Sequence, residues 1–492
     1  MQRITSQSSH PLFDTAATRR IEQAAMASLP PHTLMQRAGL AVARLALALA
    51  PHARNVWIAC GPGNNGGDGL EAATQLHLRG KTVVVTWLGT EASAPADSLA
   101  ALARARAAGV PFAETPPTGL TAQDLCIDAL LGIGSSRAPA GTMAAWISTM
   151  NASSAPTLAI DQPTGLQADT GSFAMQSVAA SADGISASSI IYAKNTLCLL
   201  SLKPGLFTGH GRDTAGQVWL DDLGIAIAND PTAQLVGAPV SASRTHASHK
   251  GSYGDVAILG GASGMAGAAL LAASAALHTG AGRVFVGLLD GGSLGVHPHQ
   301  PELMFRAPSA LPLHALAVVC GCGGGEAVRA LLPRVLAEAA RLVLDADALN
   351  AIAADTALQA QLRTRAAQGL PTVLTPHPLE AARLLGCSTA QIQADRLGAA
   401  QQLAERFACV VVLKGSGTVI AAPSQVPCIN PTGNGRLATA GTGDVLAGMV
   451  GARLAMGQYA VVAACEAVFA HGQAADDWPA GQPLTASALA QI

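Results

Sequence analysis

The sequence predicts an α/β protein of two domains, each a mostly parallel sheet covered by helices. Three observations predict it. Short apolar runs of strand length alternate with longer stretches of helical spacing. The alternation fades once in mid-chain and then restarts. Half of the 492 residues are hydrophobic, only 12% are charged, and Gly occurs 52 times, which suits buried parallel strands joined to helices by tight turns. A chain of this length is also too long for one core.

In the first half the strand candidates are NVWIAC, TVVVTWLG, DLCIDAL and TLAIDQP. Between them, DGLEAATQLHLRG and DSLAALARARAAG have helical spacing and a Gly stop. From about Ala226 to Lys250 the pattern gives way to Pro, Ser, Gly and Ala. Residues 226–250 are therefore expected to link a domain of residues 1–225 to one of residues 251–492. The second series runs GDVAILGG, GRVFVGLL, LAVVCG, RLVLDAD, TVLTPH and CVVVLKG.

Composition argues against several function classes. A formal net charge of -2 gives no reason to expect nucleic acid as a partner. The longest apolar run, AGLAVARLALALAP, is too short for a membrane span and carries Arg44. The N-terminus lacks the apolar core of a signal peptide. The nine Cys are scattered without zinc-site spacing and read as reduced thiols of a cytoplasmic protein.

The stretch WIACGPGNNGGDGLEAA places Gly61, Gly63 and Gly66 at G-x-G-x-x-G spacing after an apolar run. A dinucleotide loop of the usual kind also needs an acid at the end of the second strand, and Glu91, the one candidate, sits late. The loop instead carries Asn64, Asn65 and Asp68. A carboxylate would repel a pyrophosphate there, whereas amide and carboxyl oxygens suit a cation or sugar hydroxyls. Asp128 and Asp161 end two further apolar runs, and in a parallel sheet such ends gather on one edge. Singly, each could be a cap; at matching positions they point to a site. The better phosphate cradle is GIGSSRAP, with its glycines, Ser hydroxyls and Arg137.

In the second half, NPTGNGRLATAGTGDVLAGMVGA sets Gly441, Thr442 and Gly443 before an apolar helix. Backbone N–H groups at a helix start suit the charge that develops on a transferred phosphoryl group, and Asp444 is placed to take a hydroxyl proton. The Walker pattern is absent. A plain helix cap is the simpler reading of G-T-G-D alone, and Gly433 with Asn434 upstream weighs against it. Lys414, Gly415 and Ser416 follow a strand in LKGSGT and are plausible nucleotide contacts. Asp345, Asp347, His377 and Glu380 lie at other strand ends, beside the glycine-rich turns GGASGMAGAAL and CGCGGGEA.

Taken in order, LMQRAG, CGPGNNGGDG, DALLGIG, DQPTGL and LKPGL resemble the N-terminal domain of the NAD(P)HX epimerases, over about Ala16 to Gly224. The resemblance implies a Rossmann-like fold that binds a hydrated nicotinamide nucleotide and potassium. It implies substrate contacts at Asn64, Asn65, Gly66, Gly67 and Asp68. Potassium would be held by Asn65, Asp128 and Thr164. The phosphates would lie on Gly132, Ile133, Gly134, Ser135, Ser136, Arg137 and Ala138, with Asp161 as the acid/base. Thr164 stands where the family has Ser, and keeps the hydroxyl. The segment ADGISASSIIYAKNTLCLLSLKPGL is longer than the family's counterpart and reads as hairpin-like.

The later motifs SGMAGA, DADALN, TPHP, LKG and GTGDVLAG resemble the ribokinase-like fold, specifically the NAD(P)H-hydrate dehydratases, over about Gly251 to Asp476. That resemblance implies Asp444 as catalytic base and the hydrate beside Ala268, Gly323 and His377. ADP or ATP, with magnesium, would lie near Lys414, Gly415, Ser416, Gly441, Thr442 and Gly443. Leu379 replaces a Gly, Ala440 alters TAGTGD, and Cys322 stands in place of a Pro. Together the two resemblances imply a bifunctional enzyme acting on NADHX and NADPHX, expected to form a homo-oligomer. It would epimerise the R and S hydrates and dehydrate the S form at the expense of ADP or ATP. The alternative is a ribokinase-like small-molecule kinase with a non-catalytic N-terminal binding domain.

Overall fold

The computed structural model describes residues 1–135, 137–173, 189–240, 244–292 and 294–492. Ser136, and residues 182–188 of the segment expected to be hairpin-like, lie outside the described residues. Contacts divide the chain into two compact units, Met1–Thr5 with Pro11–Ala233, and Ser6–His10 with Gln234–Ile492.

The first unit is built on seven strands: β1 (Gln2–Arg3), β2 (Val56–Cys60), β3 (Val83–Trp87), β4 (Leu125–Ala129), β5 (Thr157–Ile160), β6 (Asn195–Leu199) and β7 (Gln217–Asp221). Their order across the sheet is β1-β7-β6-β5-β4-β2-β3. Every pairing is parallel except that of β1 with β7. The apolar runs become strands because both faces are covered: β2 and β4 are buried at every position. The helices α1 (Thr15–Ser28), α2 (Thr33–Leu49), α3 (Asn64–His77), α4 (Ala96–Ala107) and α5 (Thr142–Ala152) supply the cover. β6 runs parallel between β5 and β7, so the described part of the expected hairpin is a sheet strand.

The chain changes direction across the sheet between β2 and β4, which leaves a crevice beyond their C-terminal ends. The backbones there approach so closely that a Cβ on Gly61 would lie 1.8 Å from the Leu130 carbonyl oxygen. One on Gly66 would lie 2.0 Å from that of Gly61. Asn64 to Asp68, expected in a loop, form the first turn and a half of α3. The tight turn ends at Gly63, and the residues after it have already begun the helix.

The second unit holds β8 (Asp255–Gly260), β9 (Arg283–Leu288), β10 (Met304–Phe305), β11 (Ala317–Cys320), β12 (Arg341–Leu344), β13 (Thr372–Leu374), β14 (Val410–Leu413), β15 (Val419–Ala421) and β16 (Cys428–Ile429). The order is β10-β9-β8-β11-β12-β13-β14-β15-β16, parallel up to β14 and antiparallel beyond. Within residues 226–250, Gln234 and Leu235 pair in parallel with Cys428 and Ile429. Two apolar layers pack on the faces, one around Val256, Ile258 and Val319, the other around Leu259, Val318 and Leu344. The chain reverses between β8 and β11, and Gly260 there meets the Cys322 carbonyl oxygen, 2.2 Å from where a Cβ would stand.

Helices α6 (Ala266–His278) and α9 (Thr442–Ala455) pack against each other on one face. The intervening α7 (Ala346–Ala353) and α8 (Pro378–Leu385) start at the ends of β12 and β13. The α6–α9 contact depends on Gly448, where a Cβ would lie 2.1 Å from the Ala272 carbonyl oxygen. Gly448→Ala must push the two helices apart, and we expect a loss of about 1–3 kcal/mol. Thermal unfolding of the full chain measures it; an unchanged midpoint would show that the helices separate freely.

Candidate functional site

In the first unit a cavity of about 580 Å³ opens at the crevice between β2 and β4. Asn64, Asn65, Asp68, Gly132, Ile133, Gly134, Ser135, Arg137 and Asp161 all line it. Asp128 lies behind it, fully buried at the end of β4. Its carboxylate accepts from the Thr164 N–H (2.8 Å), the Thr164 hydroxyl (2.7 Å) and the Leu130 N–H (3.1 Å). Burial raises the Asp128 pKa to about 6 against those hydrogen bonds. Asn65 packs against Gly132, with its Oδ1 3.5 Å from where a Cβ would stand, and among the described residues its buried Nδ2 has no hydrogen-bond partner. Amide, carboxylate and hydroxyl oxygens form a donor set that fits an alkali-metal ion.

Asp161 follows β5 in a left-handed conformation, with φ +67, that side chains seldom adopt. The strain is held by the Asp161 N–H, which donates to the Leu197 carbonyl at 2.7 Å, and by Lys203. Lys203 is fully buried and gives its ammonium protons to the Asp161 carboxylate and to the carbonyls of Leu199 and Ser201, each at 2.9 Å. Asp68, across the cavity, has its pKa pushed well up by burial and by the charges of Asp161 and Glu22. Burial and Asp161 raise that of Glu22 as well. In the cavity wall Asp161 thus pairs with Lys203 and Asp97 lies against His32, while the carboxyls of Asp68 and Glu22 are shifted toward the protonated form. Glu91, the late acid, pairs instead with Arg106 at the surface, 2.7 Å away.

In the second unit Asp444 sits in the first turn of α9, whose N-cap Gly441 has φ +89. The Thr442 hydroxyl ties the turn by donating to the carbonyls of Leu437 (2.8 Å) and Thr439 (3.0 Å). Helix α10 (Ala460–Asp476) braces the same turn through the buried His471, whose Nε2 lies 2.9 Å from the Thr442 carbonyl oxygen. Burial and the neighbouring Asp345 raise the Asp444 pKa to about 6. Lys414 pairs with Asp345 at 2.7 Å. Burial opposes the Lys414 charge, but Asp345 and Glu380 beside it hold its pKa above the ordinary value. A Cβ on Gly443 would be 3.3 Å from the Lys414 Nζ, so the two nucleotide-contact segments expected from the sequence meet.

Gly323 and Ala268 also meet, at 2.9 Å between a Cβ built on one and the Cβ of the other. Cys322 Sγ lies 4.0 Å from Asp345 Oδ2, and its sulfur and the carboxylates of Asp345 and Asp444 are within 4.8 Å of one another. His377 caps α8, its Nδ1 accepting from the N–H groups of Leu379 and Glu380, while Glu380 receives the His377 N–H at 2.8 Å. Burial and the nearby Lys414 lower the His377 pKa, so the ring is neutral near pH 7.

Residues 31–205 match the family described as YjeF-related protein N-terminus, and residues 256–491 match the NAD(P)H-hydrate dehydratase family. The bifunctional NAD(P)H-hydrate repair enzyme Nnr of Escherichia coli (strain K12) is 36% identical, over 92% of this chain and 87% of its own length. The chain belongs to the family of bifunctional NAD(P)H-hydrate repair enzymes. The enzyme of the same name from Coxiella burnetii is 34% identical, over 94% of each chain. The ADP-dependent (S)-NAD(P)H-hydrate dehydratase of Neisseria meningitidis is 43% identical over 48% of this chain and 80% of its own. None of the helices described is long and apolar enough to cross a membrane.

The structure gathers most residues singled out in the sequence into two groups, one per unit. Gly66 and Gly67 are buried under the first cavity, and Asp128 and Thr164 lie behind its wall. Sequence reading missed Lys203, although LKPGL was noted. It also missed Thr18, Arg19 and Glu22 of α1, which line the cavity and belong to no motif. Cys322 was seen only as a missing Pro. We expect Lys203→Met to cost about 3–5 kcal/mol, because it leaves the Asp161 charge buried and unpaired. Adding Asp161→Asn should restore much of the loss. Urea unfolding of the two variants measures both, and equal losses in the single and double variants would show that the pair does not couple.

Proposed function

We propose that the chain repairs hydrated nicotinamide nucleotides, the first unit exchanging the two C6 epimers and the second dehydrating the S epimer at the expense of ADP or ATP. The observation that carries this reading is the pairing, in one chain, of two glycine-lined strand-end sites, each with a carboxylate set for proton transfer. The names of the relatives from Escherichia coli and Neisseria meningitidis support it.

In a hydrated dihydronicotinamide, C6 carries both N1 and a hydroxyl. In our reading Asp161 takes the hydroxyl proton, the O–H pair forms a carbonyl, and the C6–N1 bond opens. Its electron pair stays on N1, which is protonated; closure on the other face of the carbonyl inverts C6. Lys203, bonded to the Asp161 carboxylate, holds it aimed for this. Asn65, Asp128 and Thr164 would hold potassium, which when bound supplies a fixed positive charge beside the substrate.

In the second unit hydroxide is a poor leaving group, so the hydroxyl must be phosphorylated. Asp444 accepts its proton while the oxygen attacks the terminal phosphoryl group of ADP or ATP, whose magnesium comes with the nucleotide. Gly441, Thr442 and Gly443 offer N–H groups to the developing charge. The N1 lone pair then expels phosphate, and loss of a proton from C5 restores the dihydropyridine. Lys414, Gly415 and Ser416 would contact the nucleotide, with the hydrate against Ala268, Gly323 and His377. The nine free cysteines support a reducing, cytoplasmic setting.

The direct test is recovery of reduced-nicotinamide absorbance from mixed-epimer NADHX with ADP or ATP and magnesium. Full recovery is expected; a stable phosphorylated product without it would establish an ordinary kinase instead. Asp444→Asn should abolish dehydration and leave epimer exchange intact, and Asp161→Asn should do the reverse. Equal loss of both activities in either variant would contradict two separate sites. Because Asp444 must be ionised to act as base, the dehydration rate should fall to half near pH 6 and by about tenfold for each pH unit below it. A rate flat from pH 7 down to 4.5 would remove Asp444 from that role.

A further inference from the structure

Two arginines stand at the cavity of the first unit. Arg19 of α1 and Arg137 after the glycine loop both line the cavity and are exposed. Among the described residues neither guanidinium makes an ion pair or a hydrogen bond. Other arginines of this unit do: Arg37 donates to the Leu223 carbonyl, Arg104 pairs with Glu71, and Arg106 with Glu91. Arg19 reaches the loop itself, with a terminal nitrogen 3.4 Å from where a Cβ would stand on Gly134. Its position over the loop is fixed by α1, which also gives Thr18, Glu22 and Met26 to the cavity wall.

The charge around the cavity is therefore divided. Positive charge sits at the glycine loop, on Arg19 and Arg137. The remaining ionisable groups in the lining are Glu22, Asp68, Asp97 and Asp161, with Lys203 already bonded to Asp161. A dinucleotide carries a diphosphate with two negative charges, whereas the hydrated ring is neutral. Placed among the carboxyls, the diphosphate would be repelled. Placed on the loop, it meets backbone N–H groups and two guanidinium forks of matching geometry.

We propose that Arg19 of α1 clamps the diphosphate of the dinucleotide hydrate against the Gly132–Gly134 loop, where the family resemblance already sets the phosphates with Arg137, and that this clamp fixes which end of the cavity receives the hydrated ring. The inference rests on the repair reading above and adds α1 to the binding surface. Arg19 is then a specificity-determining contact rather than a catalytic one. It binds ground state and transition state alike, so its loss changes KM and spares kcat.

The experiment uses the full chain and purified S-NADHX without ADP or ATP, so that the second unit is idle, and follows epimer exchange by chromatography. Arg19→Ala is expected to raise KM about 10–50-fold and keep kcat within about twofold. Arg19→Lys should recover part of the loss, since it keeps the charge and loses the fork. Raising ionic strength should raise the wild-type KM more steeply than that of Arg19→Ala. Arg137→Ala should show the same pattern, since it removes the loop's own guanidinium. A wild-type chain that does not exchange epimers would remove the repair reading itself. Wild-type exchange with an unchanged KM in Arg19→Ala, or a loss of kcat at unchanged KM, would overturn the clamp.

Discussion

Hydrogen-bond register between β2, β4 and β5 sets Asp128 opposite Ala59 and Ala159, and the rest of the first site inherits its position from that pairing. A parallel ladder fixes where each strand ends. Once Cys60, Ala129 and Ile160 are placed, Gly61, Leu130 and Asp161 must leave the sheet side by side. Only residues without a Cβ fit where two of those turns touch, as at Gly61 against Leu130. The glycines are thus a consequence of register before they are a feature of binding.

The two units solve the same problem with different electrostatics. In the first, a buried ammonium from a neighbouring turn pairs with Asp161, while Asp68 and Glu22 around it are driven toward their neutral forms. In the second, Lys414 is spent on Asp345 rather than on Asp444, so burial and the Asp345 charge push Asp444 up to about 6. One carboxylate is tied to a buried ammonium, and the other is lifted by burial and a like charge to just below neutrality. Separate tuning suits two reactions that differ in what must leave. Epimer exchange needs a proton shuttled, and dehydration needs a nucleophile generated.

Helices supply what strand ends lack. α9 brings its N-terminal N–H groups and Asp444 to the edge of the second sheet, and α10 pins that turn through His471. Burial lowers the His471 pKa to about 4, so this brace stays neutral. In the first unit α1 has a comparable place. It carries polar residues to the cavity mouth from a segment whose sequence is ordinary amphipathic helix.

The sequence by itself determined the alternation of strands and helices, the two-unit plan and the motif residues at the strand ends. These rest on local information: apolar runs buried on both faces, glycines where a turn follows a strand, and a carboxylate at the next position. The tertiary structure alone decided that Lys203 would reach back to Asp161, that Cys322 would lie close to both Asp345 and Asp444, and that Arg19 would stand over Gly134. Each of these contacts joins segments far apart in the chain. No periodicity or spacing records them, because the geometry that brings them together comes from sheet order and helix packing rather than from any one stretch of residues.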